Sequence, residues 1–266
     1  MGKRPFNDTE LNSLAQELAD LIINSERIVV FTGTGISTES GIPDFRGPGG
    51  VWERFDPDDF AYQKFLTDPE ARRKHWQMLH GSGLTTEAEP NQTHYAIAEL
   101  DRLGKLDCVI TQNMDNLHQK AGLPNGRVLE LHGNMQWAVC LSCGKRYPFE
   151  QVKTRLDVSE TVPDCEACHG LLKPGVVFFG ESLPDGVLEE AARRSQNCDL
   201  LLVIGSTLVV YPAAYIPVYA VESGASLVII NLSPTPMDKQ ATVVIRASAG
   251  ETMSRMLKQM IDKIGS

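Results

Sequence analysis

Two Cys-x-x-Cys pairs constrain this chain more than any other feature of its sequence. Cys140 and Cys143 form the first pair, and Cys165 and Cys168 form the second. A two-residue spacer lets both sulfurs of a pair face one point, and four thiolates suit a tetrahedral Zn²⁺. Such a site is closed to water and substrate. We therefore expect the ion to stabilise a small lobe and to take no part in catalysis.

The sequence supports the alternatives to a four-cysteine zinc site less well. The polar segment 144–164 between the pairs is close to the length typical of zinc sites. A disulfide or a redox-active pair needs an oxidising compartment or a thioredoxin-like context, and neither is visible. His169 is a competing ligand, but four cysteines already satisfy the ion. Cys108 and Cys198 lie in predicted strands or at their edges, and we expect buried free thiols there.

The composition is that of an ordinary globular protein. The chain has 266 residues, of which 42% are hydrophobic and 22% charged, and a formal net charge of −9. The negative charge argues against direct binding to nucleic acid. The first residues are polar and no apolar run approaches membrane-spanning length, so we expect a cytoplasmic protein without a membrane partner.

Short apolar runs rich in β-branched residues alternate with amphipathic helical stretches. The first run ends in glycines at Gly33 and Gly35, as a buried parallel strand does before a phosphate-binding turn and a helix N-terminus. Further strands are predicted at 107–111, 128–131, 176–179, 200–206, 227–231 and 242–246, and helices at 93–103, 184–195, 212–222 and 251–264. A first helix is predicted to begin after Asn7, Asp8 or Thr9. This alternation predicts an α/β fold with a doubly wound, mostly parallel sheet.

Two segments interrupt that alternation. The zinc segment, about 135–172, reads as an insertion, and the irregular stretch 41–90 is expected to join it in a small lobe. The final predicted strand and helix suit either a sheet edge or a subunit contact. The oligomeric state therefore stays open.

Residues just beyond the predicted strands are the first place to seek a site, because ligands bind outside the carboxyl ends of a doubly wound sheet. Gly33-Thr34-Gly35 alone is a weak signal, since the third glycine of G-x-G-x-x-G is missing. The run 112–116 offers amides and a carboxylate for sugar hydroxyls and a carboxamide. His132 beside Gly133 is a lone histidine, a type that is more often structural, but its place at a strand end favours function. The segments 205–207 and 231–233 follow two further strands.

At these positions the chain resembles the sirtuins. The resemblance rests on GTGISTESGIPDFRG (33–47), TQNMDNLH (111–118), LHGN (131–134), the four cysteines, KPGVVFFGE (173–181) and GSTLVVYPAA (205–214). These motifs occur in the family's order over nearly the whole chain. Sirtuins are NAD-dependent protein-lysine deacylases, with a large Rossmann-like domain and a small zinc-bearing lobe.

The resemblance implies one sirtuin-type catalytic domain over 1–266. Its Rossmann-like part would comprise about 1–40, 91–134 and 173–266, and its small lobe 41–90 plus the zinc module 135–172. His132 would be the general base and Asn113 a second catalytic residue. The residues that would contact NAD are Gly33, Thr34, Gly35, Asp44, Phe45, Arg46, Gln112, Asn113, Asp115, Gly205, Ser206, Thr207, Asn231, Leu232 and Ala249.

The protein partner implied by the resemblance is an acetylated lysine in an extended segment. It would lie as an added strand between residues 176–181 and the loop of Val209 and Val210, a form of β-augmentation. Val177, Phe178 and Gly180 would line the path of the lysine. Nicotinamide would leave NAD, the acyl oxygen would capture the ribose carbon, and His132 would take a ribose hydroxyl proton. The expected products are nicotinamide, free lysine and O-acetyl-ADP-ribose.

Departures from the family's commonest pattern alter no catalytic group. Thr34 stands where alanine is usual and Met114 where isoleucine or valine is usual, and 205–207 is more often Gly-Thr-Ser or Gly-Ser-Ser. The first two are expected to change the affinity for NAD or nicotinamide, in an unpredictable direction. Sirtuins that prefer succinyl-lysine carry a Tyr-x-x-Arg pair where this chain has Trp76 and Leu79. We therefore expect no preference for succinyl over acetyl groups.

Two other functions are compatible with the same motifs. A protein ADP-ribosyltransferase shares the first step and differs only in the acceptor. A noncatalytic NAD-binding module is a second alternative, and the presence of His132, Asn113 and Asp115 speaks against it.

Overall fold

A computed structural model of the chain describes residues 6–47, 49–81, 88–157 and 162–264. The α-helices are α1 (Asp8–Asn24), α2 (Tyr62–Thr67), α3 (Pro69–Gly81), α4 (Gln92–Arg102), α5 (Leu117–Lys120), α6 (Phe149–Asp157), α7 (Val187–Gln196), α8 (Ile216–Glu222) and α9 (Ala249–Ile264). The strands are β1 (Ile28–Thr32), β2 (Leu106–Thr111), β3 (Val128–Glu130), β4 (Gly133–Cys140), β5 (Arg146–Pro148), β6 (Leu172–Val176), β7 (Leu200–Ile204), β8 (Ser226–Ile230) and β9 (Val243–Ile245). Within the described ranges, no helix combines the length and the apolar character needed to cross a membrane.

The predicted parallel sheet is present. Six strands pair in the order β3-β2-β1-β7-β8-β9, and every pairing in it is parallel. This is the strand order of a dinucleotide-binding sheet, with its reversal between β1 and β7. Val30 at the centre pairs with Val109 on one side and Leu202 on the other. The α/β fold class inferred from the sequence is thus confirmed.

Helices cover both faces of this sheet. On one face α1, α4 and α9 pack together, with Leu18, Ile22, Met253 and Met256 fully buried among them. The other face is covered by α7 and α8. Helix α1 begins where its capping residues predict: Asn7 accepts from the Glu10 backbone N–H at 2.9 Å, and the Glu10 side chain accepts from the Asn7 N–H.

A second sheet holds the cysteine pairs. It is antiparallel, with the order β5-β4-β6, and it shares a separate hydrophobic cluster with the segment that contains α2 and α3. Trp76 of α3 is fully buried there and stacks on Phe149 of α6, with ring centroids 5.8 Å apart. The limits proposed for the two parts of the domain remain a prediction, and parts of 41–90 and 135–172 lie outside the described residues.

Two predictions about strands and turns are wrong. The run 176–179 is not a strand of the parallel sheet. The strand there is β6, which ends at Val176 and pairs with β4. Strand β1 is followed by two 3₁₀ turns, Thr34–Ile36 and Thr38–Ser40, and not by an α-helix. The glycine turn therefore offers no long helix N-terminus to a phosphate.

The last strand has one of the two roles that the sequence allowed. Residues 243–245 form β9, which pairs with β8 and is the edge of the large sheet. It is followed by α9, whose buried face packs on α1 and α4. The sheet edge is therefore confirmed, and a subunit contact at this edge stays a prediction.

Candidate active site

The four paired cysteines lie together in space. Their sulfur atoms all fall within 4.8 Å of one another, and among the described residues this is the one such group of potential metal ligands. The Cys140 and Cys168 sulfurs are 3.4 Å apart, and those of Cys143 and Cys165 are 3.7 Å apart. A tetrahedron with Zn–S bonds of about 2.3 Å has edges of roughly 3.8 Å, so the cluster fits zinc. His169 is exposed and outside the group.

Strands β1 and β7 of the large sheet each run into a glycine loop, and the two loops cross in close contact. The N–H groups of Gly33 and Gly35 donate to the carbonyl oxygens of Ile204 and Gly205, at 3.1 and 2.9 Å. A Cβ at Gly205, whose φ is +66°, would meet the Ile36 nitrogen at 2.5 Å. Glycine is required here for backbone packing. Because both N–H groups already have partners, they are not free to bind phosphate.

A cavity of about 1010 Å³ opens at this crossing and extends between the two sheets. That volume is at the upper end of the range for ligand sites. The sequence-predicted residues that line it are Gly33, Thr34, Gly35, Asp44, Phe45, Arg46, Gln112, His132, Val177, Phe178, Gly180, Gly205, Ser206, Thr207, Val209, Val210, Asn231, Leu232 and Ala249. Met114, expected near the nicotinamide, also borders it. Asn113 and Asp115 are not among its lining residues.

His132 follows β3 and immediately precedes β4. Its Nδ1 lies 3.1 Å from the Gln112 carbonyl oxygen, and its own carbonyl accepts from the Val177 N–H at 2.9 Å. A carbonyl only accepts, so Nδ1 carries the proton and Nε2 keeps its lone pair. Burial lowers the pKa of His132 below 6.5, against a smaller opposing effect of the Gln112 bond. The ring is therefore neutral near pH 7 and able to accept a proton.

Asn113 and Asp115 do not line the cavity and are joined to each other through Ser37. Ser37 donates to Asp115 Oδ2 at 2.7 Å, and Asn113 Nδ2 donates to the Ser37 oxygen at 3.1 Å. Asp115 also accepts from the Leu117 N–H at 3.0 Å. The Asn113 Oδ1 atom is buried without a partner among the described residues, so one acceptor is left over here.

Gln112 links two strand ends across the crossing. Its Nε2 donates to the Ser206 hydroxyl oxygen at 2.8 Å, and that oxygen also accepts from the Leu208 N–H at 3.3 Å. Since Gln112 holds His132 through its main chain and Ser206 through its side chain, one residue couples both. This coupling fixes the distance between the histidine and the glycine crossing.

The loop after the 3₁₀ turns closes one end of the cavity. Asp44 accepts from the Gly47 N–H at 2.7 Å, and the Phe45 carbonyl accepts from the Trp52 N–H at 3.1 Å. The Phe45 and Trp52 rings lie 5.1 Å apart. This loop places an aromatic ring and the Arg46 side chain on the cavity wall.

The opposite end of the cavity lies beyond β8. Asn231 Nδ2 donates to the Ser233 carbonyl at 2.8 Å, Leu232 is 73% exposed, and Ala249 is buried at the start of α9. Glu39, which sequence reasoning missed, also lines this end. It accepts from the Ser248 hydroxyl at 2.7 Å and from the Gly250 N–H at 3.1 Å.

The segment after β6 forms one wall of the cavity's small-lobe side. A buried ion pair holds it, because Lys173 Nζ lies 3.1 Å from Glu181 and also donates to the Val176 carbonyl. The Glu181 carboxylate accepts from the Phe178 N–H at 2.9 Å. Phe179 pairs as a bridge with Ala61. Residues 173–181 are thereby pinned at both ends.

Several cavity residues were not found from the sequence. Glu39 falls inside the glycine-rich motif, whose polar members could have been considered. His75, Met78 and Leu79 share one face of α3 and line the cavity, but a helical histidine among apolar residues gives no signal in one sequence. Trp76, which the sequence aligned with the succinyl-recognition pair, is buried away from the cavity, whereas Leu79 borders it.

A sequence profile described as the Sir2 family matches residues 33–212 of this chain. The chain is 45% identical over 244 residues to an NAD-dependent protein deacetylase of Rhodopseudomonas palustris, covering 91% of this chain and 96% of that protein. It is 46% identical over 250 residues to a protein of the same name from Thermodesulfovibrio yellowstonii, covering 93% and 94%.

Solved structures are similar over the same length. One is a Sir2 variant with a deacetylated p53 peptide and 3′-O-acetyl-ADP-ribose, with a TM-score of 0.85, 41% identity and coverage of 92% of this chain and 97% of that chain. Another is Sir2 with a p53 peptide and NAD⁺, with a TM-score of 0.82, 40% identity and coverage of 94% and 98%.

Proposed function

The chain belongs to the Sir2 family, the sirtuins, and from this we propose that it is an NAD-dependent protein-lysine deacetylase. Its relatives over more than nine-tenths of the chain carry that name, and similar solved structures hold NAD⁺, a p53 peptide or 3′-O-acetyl-ADP-ribose. The products are nicotinamide, deacetylated lysine and O-acetyl-ADP-ribose. The observation that carries the proposal is a neutral, oriented His132 in a cavity that spans both sheets.

The residues around the cavity fit NAD. The strand order places the site where dinucleotides bind, and the cavity has room for an extended ligand. The loop from Gly33 to Arg46 would cover the phosphates and the nicotinamide ribose through groups other than the paired N–H groups of Gly33 and Gly35. Residues 205–207 would meet phosphate or ribose, and Asn231, Leu232 and Ala249 would hold the adenosine. Asn113, with its spare Oδ1, and Asp115 would orient the nicotinamide side through Ser37. When bound, NAD supplies the ribose carbon that receives the acyl oxygen.

We assign proton transfer to His132. Nδ1–H is held by the Gln112 carbonyl, so Nε2 is the atom that accepts a ribose hydroxyl proton. The lowered pKa keeps this atom unprotonated at neutral pH. Phe45, supported by Trp52, would shield the reacting sugar face from water.

The acetylated lysine would enter between residues 177–180 and the loop of Val209 and Val210. Both walls line the same cavity as His132, and Val177 is hydrogen-bonded to the histidine's own carbonyl. Binding the peptide backbone here would place the acyl group near the base. The acyl oxygen would then meet the ribose carbon of NAD at a high effective concentration in the first step.

The four cysteines would hold a structural Zn²⁺, which ties β4 to the loop before β6. The ion would take no direct part in the chemistry of the cavity, because none of the four cysteines lines the cavity. A cytoplasmic location, as the sequence suggests, is part of the proposal.

The test is nicotinamide release from NAD by purified protein, with and without an acetyl-lysine peptide. We expect release to require the peptide, with O-acetyl-ADP-ribose formed in equal amount. His132→Ala is expected to lower kcat by about 10²- to 10⁴-fold, the contribution of a general base.

The same assay separates the other functions. Peptide-independent release, with ADP-ribose retained on protein, would identify a transferase. Absence of release with any acyl peptide, despite NAD binding by calorimetry, would identify a noncatalytic module. Either result contradicts the deacetylase.

A further inference from the structure

The cavity has an arm that reaches into the small lobe, which we call the small-lobe arm. Its lining comprises Phe60, His75, Met78, Leu79 and Phe178. His75, Met78 and Leu79 lie at i, i+3 and i+4 on α3 and so share one face. All five residues are buried, with exposures of 3% to 9%. The arm is apolar except for the imidazole of His75.

The His75 ring is held among aromatic side chains. Its centroid is 4.1 Å from that of Phe178, 4.8 Å from Phe60 and 5.7 Å from Phe65. The side chain is 4% exposed, and Nδ1 is buried without a hydrogen bond to any described residue. Buried polar atoms are nearly always paired, because an unpaired one costs free energy. An unpaired nitrogen at a ligand cavity therefore calls for a ligand group.

The arm begins where the proposed lysine path ends. Phe178, which borders that path, packs against His75 with the two rings tilted by 32°, and the same cavity continues to His132. An acyl chain that extends beyond the acetyl carbonyl would therefore point toward the imidazole. This step rests on the proposed function, since it takes the acyl-lysine to bind along residues 177–180.

We propose that His75 is a specificity residue that selects short acyl-lysines bearing a hydroxyl group on the acyl chain. A hydroxyl both donates and accepts, so it pairs with either tautomer of a neutral imidazole. The rest of the arm provides the apolar surface that the chain's methylene and methyl groups require.

The charges near the arm favour a neutral group over a carboxylate. Burial, with a smaller effect of Lys173, lowers the pKa of His75 to about 3, so the ring carries no charge at neutral pH. Lys173, the nearby cation, is already paired with Glu181 at 3.1 Å and bonded to the carbonyls of Pro174 and Val176. Among the described residues facing His75, none offers an uncompensated positive charge to an acidic acyl group.

The experiment compares acyl chains of matched length on one peptide. The ratio of kcat/KM for 3-hydroxybutyryl-lysine to that for butyryl-lysine is measured, and likewise for lactyl- against propionyl-lysine. For the wild type we expect at least one ratio of about three to ten, the effect of one net hydrogen bond. Calorimetric Kd values for the same peptides without NAD are expected to show the same preference.

Variants of His75 connect the preference to this side chain. His75→Phe fits the aromatic surroundings but cannot pair with a hydroxyl, so we expect the ratio to fall to one or below. His75→Gln keeps a donor and an acceptor and is expected to retain part of the preference. Met78→Leu changes the same arm without altering hydrogen bonding and should leave the ratio unchanged.

The outcomes distinguish this inference from the proposed function. Wild-type ratios at or below one, with robust deacetylation of acetyl-lysine, would overturn the role of His75 alone. A preference that survives in His75→Phe would do the same. Failure of the wild type to deacylate any peptide with NAD would overturn the proposed function and this inference together.

Discussion

At the scale of single residues, two histidines in one cavity differ in what their Nδ1 atoms contact. His132 Nδ1 has the Gln112 carbonyl as its partner, whereas His75 Nδ1 has no partner in the part of the chain that the structure describes. The pKa of both is lowered by burial. The first ring has a defined tautomer, which a proton acceptor needs. The second has Nδ1 unpaired among the described residues, which suits recognition of a hydroxyl.

The lowered pKa of His132 predicts the pH dependence of the reaction. The unprotonated ring is the active form, so kcat/KM for an acetyl peptide should rise with pH and level off. Because the folded-state pKa lies below 6.5, half of the maximal value should be reached below pH 6.5. A pH–rate profile checks this. A midpoint above 6.5, or an acid limb that is unchanged in His132→Ala, would contradict the assignment.

At the scale of elements, β6 and the residues after it behave as one braced unit. Lys173 in the strand bonds to the Val176 carbonyl and to Glu181, and Glu181 bonds back to the Phe178 N–H. The Lys173 ammonium also lies 4.3 Å from the centre of the Phe178 ring. One buried cation thus shapes the whole wall on which the peptide is proposed to bind.

Replacing this cation should destabilise the protein. Lys173→Met leaves the Glu181 carboxylate largely buried without its counter-ion, and we expect the free energy of unfolding to fall by about 3 kcal/mol. Urea denaturation monitored by circular dichroism measures the change. Arg193→Met, at an exposed ion pair with Glu190, serves as the control and should show no measurable change. Equal stability of the two variants would contradict the bracing role.

At the scale of the whole molecule, buried neutral histidines lie both in the small lobe and beside the large sheet. His75 belongs to the small-lobe side, while His94 and His118 lie near the large sheet with ring centroids 5.2 Å apart. Burial lowers the pKa of His94 to about 4 and that of His118 well below 6.5. Such groups make the fold sensitive to acid.

Proton binding determines whether the stability of the fold rises or falls with pH. Below pH 6.5 the unfolded chain binds protons at these histidines and the folded chain does not, so stability falls as the pH falls. For His75, with a pKa of about 3, the loss between pH 7.5 and pH 5 is about 2 kcal/mol.

Urea denaturation of wild type and His75→Phe at both pH values tests this prediction. The acid-induced loss should be smaller in the variant by about 2 kcal/mol. Any effect of protonating the cysteine cluster is common to both proteins and cancels in the comparison. Equal losses would show that His75 is already protonated in the fold at pH 5.

The fold was largely predictable because its large sheet is built from buried apolar strands. Runs such as 200–204 are apolar throughout and stand between helices, which is how such strands appear in sequence. Strand β6 was missed because Lys173, Pro174 and Gly175 break that pattern. The lysine is buried through a partner eight residues away, and a local pattern does not contain such a contact.

The site was predictable in part for a similar reason. Strand ends pointed to Gln112, His132 and Gly205, all of which line the cavity. Asn113 and Asp115 were found too, but their position behind Ser37 depends on how the turns fold. His75 comes from a separate lobe, so only the packing of the small lobe brings it to the cavity.

The link between β3 and β4 consists of only Leu131 and His132. Leu131 is bonded to Thr111 of the large sheet, and His132 to Val177 beside the small one. One added residue lengthens a chain by up to about 3.5 Å, more than the whole reach of the bond from His132 to Gln112. Insertions and deletions at this link are therefore incompatible with an aligned histidine. The turn between β4 and β5 is restricted as well, because it carries Cys143, whose spacing from Cys140 the four-cysteine cluster requires.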